Sequence, residues 1–239
     1  MANNFNWIDG STLDGILWDS GTVTSVVPIT QVGTLTIDGS SWKYLDAQLD
    51  NTGNIIANHS GILFFQDGAI LNNFGNYDFQ RGSINSTGTF NNLGTLRKTS
   101  TNTGDIRTEF NNTGAVIVES GSLNLRGGGN SSGGTFTVSA PNNQGLYFYN
   151  NYTLINTALE GSGTVNVNGG VLDAQLMSGT TIADTLNLVI NGGTLQLDSA
   201  YALPTTTTLS SGTLKSSDVV TNSSTLTIDG FSQKYLDAQ

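Results

Sequence analysis

LDNTGNI (49–55), LNNFGNY (71–77), FNNLGTL (90–96) and FNNTGAV (110–116) are four copies of one seven-residue phrase. Each reads apolar, Asn or Asp, Asn, any residue, Gly, any residue, apolar. The starts, Leu49, Leu71, Phe90 and Phe110, follow one another at offsets of 22, 19 and 20. Self-similarity at about 20 residues marks a chain that winds into stacked turns, each burying its apolar side on the next. Like places should then pile into columns: Leu49, Leu71, Phe90 and Phe110 in one, and Ile55, Tyr77, Leu96 and Val116, six residues on, in a second. Thirteen residues after each start stand Ile62, Ile84, Thr103 and Leu123, the expected third column.

The polar places of the phrase have their own physics. Gly53, Gly75, Gly94 and Gly114 are expected to supply a positive φ or a bulge where one strand bends into the next. Asn51, Asn73, Asn92 and Asn112 tolerate the left-handed conformation, satisfy corner backbone groups, and when stacked can bond along a ladder.

Working outward, a second repeat appears. GTLTIDGSSWKYLDAQ (33–48) returns as STLTIDGFSQKYLDAQ (224–239), identical at 13 of 16 places with an offset of 191. LDAQ also begins at Leu172, so its three starts are offset by 127 and 64. Those offsets read as about six turns and three turns of 21 residues, close to the shorter period. The chain thus reads as one 191-residue super-repeat with a lead-in and the opening of another. Residues 6–24 read as an early turn bracketed by Trp7 and Trp18, with IDGST from Ile8 echoing IDGSS from Ile37. In the second half, TVNV from Thr164, TLNLVI from Thr185, TLQL from Thr194 and TLTI from Thr225 alternate apolar with small polar residues, the period of a strand with one face buried. GGGNSSGG (127–134) is the strongest break, either a linker or, as preferred, a looser corner protruding from one turn.

Composition agrees. Only 11% of the 239 residues are charged and three are Pro, which suits short strands with many tight turns. The expectation is all-β: a single right-handed parallel β-helix over 1–239, with turns of about 19–22 residues. An antiparallel β-sandwich is the alternative, but it gives no reason for matching phrases at that spacing.

The formal net charge of −10 argues against nucleic acid as a partner. Five of the eight basic residues fall between Arg81 and Arg126 and read as ordinary solvated charge. Cys is absent, which removes disulfides and thiolate sites. No export signal and no apolar run of membrane-spanning length is present in this chain.

TLINTALEGSGTVNVNGG (153–170), with the N-x-G and G-T-L phrases, resembles the strand-repeat rods of bacterial autotransporter passengers and filamentous-haemagglutinin-like adhesins. The resemblance is one of repeat texture, and implies an extracellular or cell-surface fibre used for attachment or as matrix.

Chemistry is sparse. Polysaccharide lyases and hydrolases also use parallel β-helices, with clustered carboxylates in a groove. The carboxylates nearest in sequence are Asp46 with Asp50, and Asp9, Asp14 and Asp19, each in a turn setting that favours Asp for local bonding. Glycosidic chemistry needs a pair at defined separation across a cleft. His59, the single histidine, has neither Cys nor a second His to share a zinc ion and reads as a surface or corner residue. No catalytic residue, metal or cofactor is expected.

LYFYNNY (146–152) is the most suggestive surface element. With Leu146 and Phe148 inward, Tyr147 and Tyr149 face out and Tyr152 lies near, a set able to stack on sugar rings. The functional expectation is a structural or adhesive rod without catalysis. Its partners are further copies of itself, end to end, and surface glycans; the alternative is a carbohydrate-active β-helix, either binding module or enzyme.

Overall fold

The computed structural model describes residues 5–6 and 12–238, other than 67, 143 and 223. The chain is an all-β solenoid of about 11 turns in which parallel strands stack. Most turns carry three short strands, one to each of three faces, and in four places among the described residues one longer strand, such as Asn54–Phe65, runs through two faces. In one turn the three are Ile29–Gln31, Thr34–Ile37 and Lys43–Asp46, and the next level begins with Gln48–Asn51 on the first face again. Strands on each face run parallel from level to level. Among the described residues the one helical segment is a single 3-10 turn, Leu176–Ser178.

The columns fall where the phrase puts them. On the first face Ile29, Leu49, Leu71, Phe90, Phe110, Gly129, Tyr152, Leu172, Leu195, Leu214 and Leu236 are paired in sequence. The second face stacks Leu35, Ile55, Tyr77, Leu96, Val116, Phe136 and Leu159. Side chains alternate inward and outward, so most four-residue strands contribute two to a continuous core. Aromatic rings fill it in two groups. Phe90 meets Phe110 edge-on at 5.3 Å and Tyr77 at 5.1 Å; Phe136, Phe148 and Tyr152 touch one another at 5.1 to 6.1 Å. Each ring or branched chain so buried contributes roughly 1.5–3 kcal/mol.

The third column differs from the expectation. Ile84 stands over Leu63 and under Ile106, followed by Leu125 and Phe148. Ile62 pairs with Ser83 and points partly outward, while Thr103 is exposed and its neighbour Gly104 takes the inward place. The reason is the corner between second and third faces. It spans seven residues from Tyr77 to Ile84 and ten from Leu96 to Ile106, so no fixed offset survives it. The corner from first to second face is six residues in all four copies.

The glycines act differently as well. None of Gly53, Gly75, Gly94 and Gly114 lies in the left-handed region, and neither do the four Asn. What they require is absence of bulk. A Cβ on Gly75, Gly94 or Gly114 would stand closer than 3.0 Å to the carbonyl oxygen of Gly53, Gly75 or Gly94 in the turn below. The same carbonyls accept hydrogen bonds from the residue after each glycine, as Thr95 N does to Gly75 O at 2.9 Å.

GGGNSSGG is neither linker nor protruding corner. Gly129–Ser132 is a first-face strand, paired with Glu109–Asn112 below and Tyr152–Ile155 above. Gly129 keeps its place in the column small between Phe110 and the large Tyr152. The echo at Ile8, with Trp7, lies outside the described residues; Trp18 is a buried core residue.

Candidate functional site

Two rows of side-chain amides run along the first face. The inner row is buried. Asn51 donates to Asn73 Oδ1 at 2.6 Å, Asn73 to Asn92 at 2.8 Å and Asn92 to Asn112 at 2.7 Å; Asn112 reaches Ser131 Oγ at 3.3 Å. Each amide uses its second N–H on a carbonyl of the turn above: Asn76, Thr95, Ala115 and Thr135 respectively. Gln31 below and Thr157 above extend the polar column with bonds to Gly33 O and Ser131 Oγ. The expected ladder is therefore present, and its role is to satisfy corner backbone inside the core.

The outer row is half-buried and open to solvent. Asn72 donates to Asp50 Oδ1 at 2.8 Å, Asn91 to Asn72 at 2.9 Å, Asn111 to Asn91 at 3.2 Å and Asn130 to Asn111 at 2.7 Å. Beside it stand the outward residues that precede the stacked glycines, with Phe74 and Leu93 about half exposed. Asn72, Asn91 and Asn111 with Phe74, Leu93 and Thr113 line an open groove of 230 Å³. Amide counting leaves Asn72 and Asn91 each with a spare N–H and a spare oxygen lone pair. The phrase marked these Asn and Asp places, but the sequence does not show that they form a second row.

Only part of the expected tyrosine set lies at the surface. Leu146 and Phe148 are buried, and Tyr147 and Tyr149 lie half-exposed with ring centroids 6.2 Å apart and nearly parallel. Arg126 covers one face of Tyr149, its guanidinium carbon 3.8 Å from the ring centre. Tyr152 is removed from the surface set: it is buried in the core, and its hydroxyl donates to Asn130 O at 3.0 Å. It opens the next first-face strand, Tyr152–Ile155, at an inward place, with the same parity as Leu146 and Phe148.

Basic residues between Arg81 and Arg126 are largely occupied within the fold. Arg97 pairs with Glu119, and Asp105 receives Arg126 at 2.9 Å and Arg107 at 3.4 Å. Burial opposes the Asp105 charge, but the Asn124 amide and the two guanidinium groups hold its carboxyl below the ordinary value. Lys98 is buried in the second face, bonded to Ser100 O and to Ser120 O at 3.4 Å; burial lowers its ammonium to about 8 against the pull of Asp78.

His59 sits at a corner as expected, but inside it. Nδ1 is 3.0 Å from Gly61 O, and Nε2 is buried without a partner. Burial, helped by the charges of Lys43 and Arg81, lowers the imidazole to about 4. Among the carboxylates, Asp50 accepts from Gln48 at 3.0 Å, Asp14 from Thr34 N at 3.2 Å and Asp19 from Ser20 at 3.0 Å, bonds that serve the fold; Asp46 is exposed and Asp9 lies outside the described residues. Among the described residues no three His, Asp or Glu converge to hold a metal, and no helix is long and apolar enough to cross a membrane.

Comparison with protein-family models, with curated proteins and with solved structures finds no match to this chain.

Proposed function

We propose that the chain is a segment of a structural or adhesive rod displayed outside the cell, with no catalysis of its own. The observation that carries this reading is the first-face column, in which ten successive pairings from Ile29 to Leu236 repeat one architecture level after level. Inward places are spent on packing and on the amide row, which makes a stiff spacer with a long exposed surface. This reading agrees with the resemblance to bacterial strand-repeat surface rods. Electron micrographs of the protein, paired with a reducing-sugar assay on acidic polysaccharides, test it. Elongated particles without turnover are expected; compact particles, or turnover abolished by substituting a single carboxylate, overturn it.

A second reading, a carbohydrate-binding module, is favoured by the groove along the outer amide row. Amides with free hydrogen-bonding capacity beside an exposed Phe ring match the polar edges and apolar faces of sugars. Glycan arrays with wild type, Phe74→Ala/Leu93→Ala and Tyr147→Ala/Tyr149→Ala separate the two candidate surfaces. Binding lost only in the first variant places the ligand in the groove, and no binding by the wild type removes this reading.

A further inference from the structure

The repeated phrase does not return to the same face. In its first copy Thr34–Ile37 lies on the second face and Lys43–Asp46 on the third; in its second copy Thr225–Ile228 lies on the third face and Lys234–Asp237 on the first. From Lys43–Asp46 the third face rises by nine pairings to Thr225–Ile228, and Lys234–Asp237 is one face further on. The offset of 191 therefore spans nine and a third levels rather than a whole number. Likewise Leu172 and Leu236 share the first-face column, three levels apart, while Leu45 lies on the third face. The stretch from Leu45 to Leu172, expected to make six turns, makes six and a third.

Strands cover the first copy from above. Asn54–Ala57 lies over Thr34–Ile37, and Leu63–Phe65 over Lys43–Leu45. Under that cover Leu35, Ile37 and Leu45 are 2%, 1% and 1% exposed, and Phe64 stacks on Tyr44 at 5.3 Å. In the second copy the counterparts of Ile37, Leu45 and Tyr44 stand open, Ile228 being 57%, Leu236 58% and Tyr235 55% exposed, while Leu226, the counterpart of Leu35, is half-buried. The three differences between the copies, Gly33 to Ser224, Ser40 to Phe231 and Trp42 to Gln233, leave every inward place of the two strands unchanged. The second copy is thus the same ledge without its cover, with apolar side chains and unpaired strand backbone presented together.

We propose that this ledge is the seat for another segment of the Asn54–Phe65 sequence, brought by a second unit of the same repeat, and that successive units are turned by one third of a turn about the rod. Three units then bring any outward surface, including the groove at Asn72 and Asn91, around to its first direction. The inference rests on the rod reading in taking the occupant to be a tandem unit.

The chain has no Cys, so register can be read by disulfide trapping. Tyr235→Cys protein is mixed under mild oxidation with a synthetic 54–65 peptide carrying Cys at position 64, or at position 62 as the out-of-register control. Trapping at least tenfold faster for position 64 is expected, because paired parallel strands put those Cα atoms within disulfide reach. Adding Ile228→Asp, at an already exposed site, should slow it a further tenfold with an unchanged circular dichroism spectrum. Equal rates for the two peptides, or indifference to Ile228→Asp, overturn the seat. Micrographs of a two-unit tandem chain test the rod separately: compact particles alongside in-register trapping sink the rod reading alone, and elongated particles without register selectivity sink the seat alone.

Discussion

Asn73 donates to Asn92 from the turn below it, Nδ2 to Oδ1 at 2.8 Å, while one residue earlier in the same two strands Asn91 donates downward to Asn72 at 2.9 Å. The two amide rows therefore run in opposite senses, one inside the core and one in water, separated by the thickness of the backbone. That pairing gives the same side chain two different energetic values, because an unmet bond costs far more where water cannot replace it.

Asn92→Ala should destabilise the protein by about 3 kcal/mol, since it orphans the Asn73 donor, the Asn112 acceptor and Ala115 O in the core. Asn91→Ala, one residue away and solvated, should cost less than about 1 kcal/mol. Urea titrations of both variants check this; equal midpoints would mean that the inner row is not the stabilising one.

Gly94→Ala should be the costlier of two glycine substitutions. Its new methyl would press on Gly75 O, and relief requires the two turns to part at the Thr95 N to Gly75 O bond. A loss of about 3 kcal/mol is expected. Gly133 has a φ of +74° but open space around it, so Gly133→Ala meets only the left-handed conformation, about 1 kcal/mol. Thermal melts of the pair decide whether close approach outweighs dihedral strain here.

Deleting one whole level should be tolerated. Removal of residues 90–109 joins Thr89 to Phe110, which then meets Leu71 as Phe90 did, and Asn112 receives the Asn73 amide. Nearest-neighbour stacking predicts a folded chain with a cooperative melt within about 10 °C of the parent. Removal of residues 90–99 alone breaks register on all three faces and should abolish the cooperative transition seen by circular dichroism.

How much of this was legible follows from which corners are constant. The first and second columns could be written down from Leu49, Leu71, Phe90 and Phe110 because six residues always separate the two faces there. The third could not, because its corner stretches from seven residues after Tyr77 to twelve between Phe136 and Phe148. The shift of LDAQ by one face was hidden for a related reason. A third of a turn is about seven residues, and the spacing of levels along the first face is itself uneven, shorter from Leu71 to Phe90 than from Gly129 to Tyr152. Gly94 was identified as necessary but for the wrong cause, since a sequence carries no carbonyl distances. Tyr152 was grouped with the outward tyrosines by its closeness in sequence alone; counted from Leu146 and Phe148 it has the inward parity, and it is buried.

His59 gives the sharpest solution test, because one imidazole means one unambiguous resonance. Burial lowers it to about 4, with Lys43 and Arg81 acting in the same direction, against about 6.5 in the unfolded chain. Between those values the unfolded state holds a proton that the folded state refuses, so folding stability must fall as the pH drops through that window and is fully present above it. The shift corresponds to about 3 kcal/mol lost by pH 4. His59→Gln cannot take up the proton, so its stability should decline less steeply from pH 6.5 to 4 than that of the wild type. An NMR titration of the His59 Cε1 proton with a midpoint near 6.5 would mean that the ring is solvated, and the buried corner described here would be wrong.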